Sequence, residues 1–286
     1  MISLFKKPIE SQLLKELFQK ERDKRSLDYE SINIETSFGN TSILVTGDAD
    51  SPPLVLVYGV NEYPPFALEL LVDLSAHYRV YTIDGLEHST LNEESELSLA
   101  DESYGQWMYE VLAWLNIRNA IMMGVSFGGF VCCKTLLFDQ RYVSKAFLVA
   151  PEGVVSSCTW RTVWRIKLPL TFYKWLKHPC LARQLSKALL GDSNKENLAF
   201  FSNWICHSDM SISQVPRLCE QEALRIKTPI FLVASGRDVL FPGKNMVKHA
   251  RAVFPTLVDV LLLENASHIP NHSANKRIVE FVINHT

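Results

Sequence analysis

A serine held between glycines is the first place in this chain where residue types and spacing point to chemistry. Gly124-Val125-Ser126-Phe127-Gly128-Gly129 has the form G-x-S-x-G, follows the apolar run Asn-Ala-Ile-Met-Met and leads into a helical pattern. The spacing has a steric cause. A strand that turns abruptly into a helix holds the serine in a strained backbone conformation. The residues two before and two after it then pass close to each other and to neighbouring strands. Glycine at 124 and 128 removes that clash. The turn lifts Oγ to the start of the helix, where free N–H groups and the positive dipole end lie. A bare five-residue match also describes a glycine-rich turn with a surface serine; the strand before and helix after make it informative.

A serine hydroxyl is a poor nucleophile at neutral pH and needs a base, and the base needs an orienting group. Ile230–Ala234 is a buried-strand pattern followed by Ser-Gly-Arg-Asp, which puts Asp238 on a loop just past a strand. Val258–Leu263 is followed by Glu-Asn-Ala-Ser-His-Ile-Pro, which puts His268 on the next such loop. In a parallel sheet both loops leave the same edge as Ser126. The order Ser, acid, His along the chain suits this arrangement. Ser126, Asp238 and His268 are thus the expected catalytic set, for acyl transfer to water. Glu152, after the strand ending Ala150-Pro151, is the competing acid; its ordinary reading is a polar residue at the pocket mouth. His272 reads as a surface residue opening the last helix, and His178 and His207 as spectators.

The elements that must hold these residues are legible as apolar runs. Ser42–Val45, Leu54–Tyr58, Arg79–Ile83, Ala120–Met123, Lys145–Ala150, Ile230–Ala234 and Val258–Leu263 are short and rich in Val, Ile and Leu, as strands buried on both faces are. Helical patterns lie between most of them, over Phe66–His77, Asp101–Leu115, Gly129–Phe138, Lys244–Phe254 and Arg277–Ile283. The alternation predicts an α/β fold with a mostly parallel central sheet and helices on both faces. It stops at residues 152–226, a stretch rich in Trp and basic residues that reads as helices only. The expected organisation is a core of residues 1–151 and 227–286, with residues 1–30 an N-terminal helical extension. A helical lid over residues 152–226 is inserted after the sixth strand, above the sheet edge where ligands bind. Within the extension, Leu13, Leu14, Leu17 and Phe18 form an apolar stripe.

Taken together, the three loops resemble the α/β-hydrolase superfamily over nearly the whole chain, and within it the small cytosolic carboxylesterase-type serine hydrolases of bacteria. The stretches that carry the resemblance are Leu-Val-Leu-Val-Tyr-Gly, Tyr-Thr-Ile-Asp-Gly-Leu-Glu-His-Ser, Gly-Val-Ser-Phe-Gly-Gly, Ser-Gly-Arg-Asp and Asn-Ala-Ser-His-Ile-Pro. The resemblance implies an oxyanion hole from the backbone N–H groups of Phe127 and Val60, with Asn61 a neighbouring candidate and substrate contact. Two departures stand out. The family's His-Gly pair reads Tyr58-Gly59, and its Gly-His-Gly turn reads Glu87-His88-Ser89. Trp160 and Trp164 are candidates for an apolar substrate pocket; the plainer reading is that they pack the inserted helices on the body.

Composition bounds the partners. The chain has 286 residues, 47% hydrophobic and 21% charged, with net charge −2. That is a globular composition with no overall field toward nucleic acid or an anionic membrane. No apolar run reaches the length of a spanning helix. The start, Met-Ile-Ser-Leu-Phe-Lys-Lys-Pro, is broken too early for a secretory signal. The six cysteines, at 132, 133, 158, 180, 206 and 219, have no metal-ligand spacing and read as reduced thiols in a cytoplasm. The expected partner is a small ester-like molecule, with no cofactor, metal, nucleic acid or membrane, and nothing marks an oligomeric state. Thioesterase, lactonase, perhydrolase and C–C bond hydrolase chemistry would use the same three residues. A binding protein that keeps the scaffold without turnover is the alternative of a different class, and its mark would be a broken set.

Overall fold

The computed structural model describes Asp23 and residues 28–58, 65–87, 97–156, 160–191, 195–207 and 215–286. The expected stripe over Leu13–Phe18, the loop with Val60 and Asn61, and His88 lie outside these residues.

Eight strands form one sheet, in the order β1-β2-β4-β3-β5-β6-β7-β8. They are β1 (Glu30–Thr36), β2 (Gly39–Thr46), β3 (Pro53–Val57), β4 (Arg79–Glu87), β5 (Ala120–Val125), β6 (Val143–Val149), β7 (Ile230–Ser235) and β8 (Leu257–Leu263). The first two pairings are antiparallel and every later one is parallel. Seven strands fall where the apolar runs predict them. β1 is the addition: its alternation of Ile32 and Ile34 with polar residues pairs it to β2 at the sheet's edge. β4 runs on to Glu87, four residues past the expected end, through pairing with β2.

Alternation along each strand sends side chains to two separate cores. On one face Ala120 and Met122 of β5 join Trp107, Met108 and Val111 of α2 (Ser103–Trp114), Val131 and Leu136 of α3 (Phe127–Phe138), and Met246 and Ala250 of α9 (Gly243–Val253). On the other, Ile121 and Met123 meet Leu70, Leu71 and Leu74 of α1 (Pro65–Ser75) and Ile278, Val279 and Val282 of α10 (His272–Ile283). Each fully buried aliphatic side chain contributes about 1.5–3 kcal/mol, so both layers hold the sheet's loops in register.

Between β6 and β7 the described residues form helices joined by turns, with no strand. The segments are α4 (Trp160–Thr162), a π-helical turn (Val163–Lys167), α5 (Leu168–Leu176), α6 (Pro179–Leu190), α7 (Lys195–His207) and α8 (Glu220–Ala223). They build a third core around Ile166, Leu170, Tyr173, Leu185, Leu189 and Ile205. Val239, from the loop after β7, belongs to that core.

Candidate active site

β5 and β3 are neighbours although β4 lies between them in sequence, so the strand order reverses at β5, the place in an open α/β sheet beyond whose carboxyl strand ends ligands bind. Ser126 follows β5 directly and precedes α3. Its φ of 55° is in the left-handed region, where a residue with a Cβ is strained. Close packing enforces the turn. A Cβ on Gly124 would meet the Gly128 backbone and lie 2.6 Å from Cys132 Sγ; one on Gly128 would run into the carbonyl of Val57, the last residue of β3. The Ser126 N–H donates to the Val149 carbonyl at 2.9 Å, fixing the turn to β6 as well.

Asp238 and His268 come from adjacent loops after β7 and β8. The two loops are laced by main-chain bonds: Gly236 N–H to Leu263 O and Arg237 N–H to Ala266 O, each 2.9 Å. Asp238 Oδ1 accepts from the N–H groups of Leu240 at 2.7 Å and Phe241 at 3.0 Å. Its Oδ2 lies 2.8 Å from His268 Nδ1, and the carboxylate is fully buried. On the far side of the ring, His268 Nε2 lies 3.0 Å from Ser126 Oγ. The three residues singled out from sequence thus form one hydrogen-bonded chain. With Nδ1 donating to the carboxylate, Nε2 is the ring's acceptor for the serine proton.

Electrostatics favour a proton on that histidine. Burial opposes the imidazolium, but the charge and hydrogen bond of Asp238, with the Glu152 charge, outweigh it and raise the His268 pKa. Glu152 stands on the same edge, and its N–H donates to the Ser126 carbonyl at 2.9 Å. Burial pushes its carboxyl up to about 6, against the pull of His268 and of a hydrogen bond from the Ser126 side chain; Asp238 adds to the rise.

The other candidates fall as follows. Phe127 opens α3, so its N–H has no helical carbonyl to meet. Tyr58 follows β3 and packs partly buried against the second core; burial raises its pKa, keeping the hydroxyl protonated. Trp160 and Trp164, expected at a substrate pocket or packed on the body, are 71% and 63% exposed. The reason is the phase of their helix: Thr162 and Ile166 take its inner face, and the Thr162 hydroxyl donates to the Val239 carbonyl. His272 opens α10, exposed, 3.7 Å from Glu69. His178 caps α6 through the Cys180 N–H, and His207 ends α7. Among the described residues the five cysteines are free, and no group of three His, Cys, Asp or Glu could hold a metal.

The solved structure of naproxen esterase (carboxylesterase NP) from Bacillus subtilis superposes with a TM-score of 0.79, at 20% identity, over 96% of this chain and 97% of that one. The chain has the α/β-hydrolase fold. In sequence it is 23% identical over 270 residues to the uncharacterized carboxylesterase nap of B. subtilis, across 88% of this chain and 86% of that protein. It is 22% identical over 275 residues to carboxylesterase YbfK of the same organism, across 90% and 88%. No family model matches the chain.

Proposed function

We propose that this α/β-hydrolase cleaves carboxylic esters through an acyl-enzyme on Ser126. The observation that carries the reading is the hydrogen-bonded chain from Ser126 Oγ through His268 to the buried Asp238 carboxylate. Likeness to carboxylesterases over most of the chain supports the substrate class.

In this reading Oγ attacks the ester carbonyl as His268 Nε2 takes its proton. Asp238 holds the tautomer and stabilises the imidazolium. The carbonyl oxygen gains charge toward the Phe127 N–H and, by family resemblance, that of Val60. One such donor is worth about 10²–10³ in turnover. The tetrahedral species expels the alcohol, which takes the proton from His268. Water then attacks the acyl carbon with His268 again as base, releasing the acid and free Ser126. Glu152 does not replace Asp238, because Asp238 occupies the Nδ1 side of the ring; it adds negative charge near the ring instead. The inserted helices cover the sheet edge as a lid of residues 152–226.

Hydrolysis of p-nitrophenyl esters from acetate to longer acyl chains, by wild type and Ser126→Ala, tests the assignment. Activity should fall by about 10⁴-fold or more in the variant with an unchanged melting temperature. Equal activity in both would move the chemistry off Ser126, and inactivity of the wild type on every ester would favour a non-ester substrate or a binding role.

A further inference from the structure

The outer side of the helix spanning Trp160–Leu176 is apolar where a surface helix should be polar. Seven of the thirteen exposed large hydrophobics among the described residues fall in these seventeen positions, so they form a patch and not a scatter. Trp160, Trp164, Leu168, Phe172 and Leu176 recur every four residues, the spacing of one helical stripe, and Trp175 beside them is 88% exposed. The inner side is separately satisfied by Ile166, Leu170 and Tyr173 in the third core, so the helix needs no further cover in order to fold.

Charge narrows what the patch meets. Residues 153–191 contain no Asp or Glu, but seven basic residues. Arg161, Arg165, Lys174 and Lys177 are exposed along the helix that carries the stripe, and Arg183 and Lys187 on α6. An apolar stripe of Trp, Phe and Leu flanked only by Lys and Arg is the pattern of a helix lying in the plane of a membrane surface. A second copy fits poorly, because pairing two such faces sets one basic flank against another. A nucleic acid would use the arginines and indoles, but it leaves Leu168, Leu176 and exposed Val163 without apolar contact.

We propose that this face docks the protein peripherally on an anionic phospholipid surface, the stripe entering the headgroup boundary and the basic residues meeting lipid phosphates. Among the described residues no helix is long and apolar enough to cross a membrane. The docking helix is tied to the candidate site: Thr162 holds the Val239 carbonyl, one residue from Asp238. The inference concerns binding and is independent of the chemistry proposed for Ser126.

Sedimentation with phosphatidylcholine vesicles, with and without phosphatidylglycerol, tests it. Wild type should pellet with the anionic vesicles, with a blue shift of indole fluorescence, and stay in solution with the neutral ones. Phe172→Ser/Trp175→Ser/Leu176→Ser should lose most of that binding. Arg161→Gln/Arg165→Gln should weaken it by about fivefold per neutralised arginine. Unchanged melting temperatures exclude misfolding, since every substituted side chain is exposed. Absence of pelleting by wild type, equal pelleting with both vesicles, or full binding by the apolar variant overturns the proposal. So does a dimer dissolved by that variant, which would give the face to a second copy, or retention of a single-stranded oligonucleotide in place of vesicles.

Discussion

At the scale of the residue, the site sets two carboxylates around one imidazole. His268 must be neutral to take a proton from Ser126, yet Asp238 and Glu152 both stabilise its charged form. The acidic limb of the kcat/KM profile should therefore lie above an ordinary histidine's. Glu152→Gln removes one negative charge, so that limb should move to lower pH; a profile identical to wild type would show that the ring does not feel Glu152. The same substitution carries a stability signature. The Glu152 pKa is raised from an ordinary 4.5 to about 6, so its contribution is fully present below 4.5 and is lost as pH rises through 6. At neutral pH that loss is on the order of 2 kcal/mol, and the glutamine should gain a higher melting temperature at pH 8 that vanishes near pH 4. Ser126, Asp238 and His268 were legible beforehand because each follows an apolar run at one sheet edge. Glu152 was visible as an edge acid, but its hold on the Ser126 backbone depends on how the chain leaves β6, which no local pattern encodes.

At the scale of the element, the turn between β5 and α3 and the tie between the insertion and the β7 loop determine where the site groups stand. Gly128→Ala puts a methyl group into the Val57 carbonyl, where both partners are backbone and neither yields cheaply. It should cost at least about 2 kcal/mol, read in urea unfolding, with loss of esterase activity; a wild-type midpoint would mean that β3 and α3 separate freely. Thr162→Val leaves the Val239 carbonyl without its donor and should cost about 1–3 kcal/mol. If the insertion steadies the Asp238 loop, kcat should fall with little change in KM; an unaltered kcat would limit the tie to stability. The parallel strands were easy to read because burial on both faces makes them continuously apolar. β1 was not, because Glu30 and Glu35 interrupt an edge strand that is half exposed. The last helix begins at His272, the residue read from sequence as opening it, because Asn271 caps it there through the Ala274 N–H; the apolar pattern by itself starts only at Arg277.

At the scale of the whole molecule, a net charge of −2 conceals a strong separation. Seven positive charges on residues 153–191 leave −9 on the rest of the chain. The expectation of no membrane partner takes the total charge and the lack of a spanning apolar run; neither quantity reports that one helix carries its basic residues beside its exposed aromatics. The division gives docking a direction, because an anionic surface attracts residues 153–191 and repels the rest of the chain. Docking held by such a field must also weaken with salt, since the Debye length falls from about 10 Å at 0.1 M to about 3 Å at 1 M. Binding to phosphatidylglycerol-containing vesicles should decline steeply across that range, while the short contacts from Ser126 to His268 to Asp238, buried and far inside a Debye length, keep hydrolysis of a soluble ester nearly constant. Parallel titrations of pelleting and of p-nitrophenyl acetate turnover with NaCl would show the two curves part. Vesicle binding that persists at 1 M salt would mean that the aromatic stripe holds the surface alone and that the basic flank has no part in it.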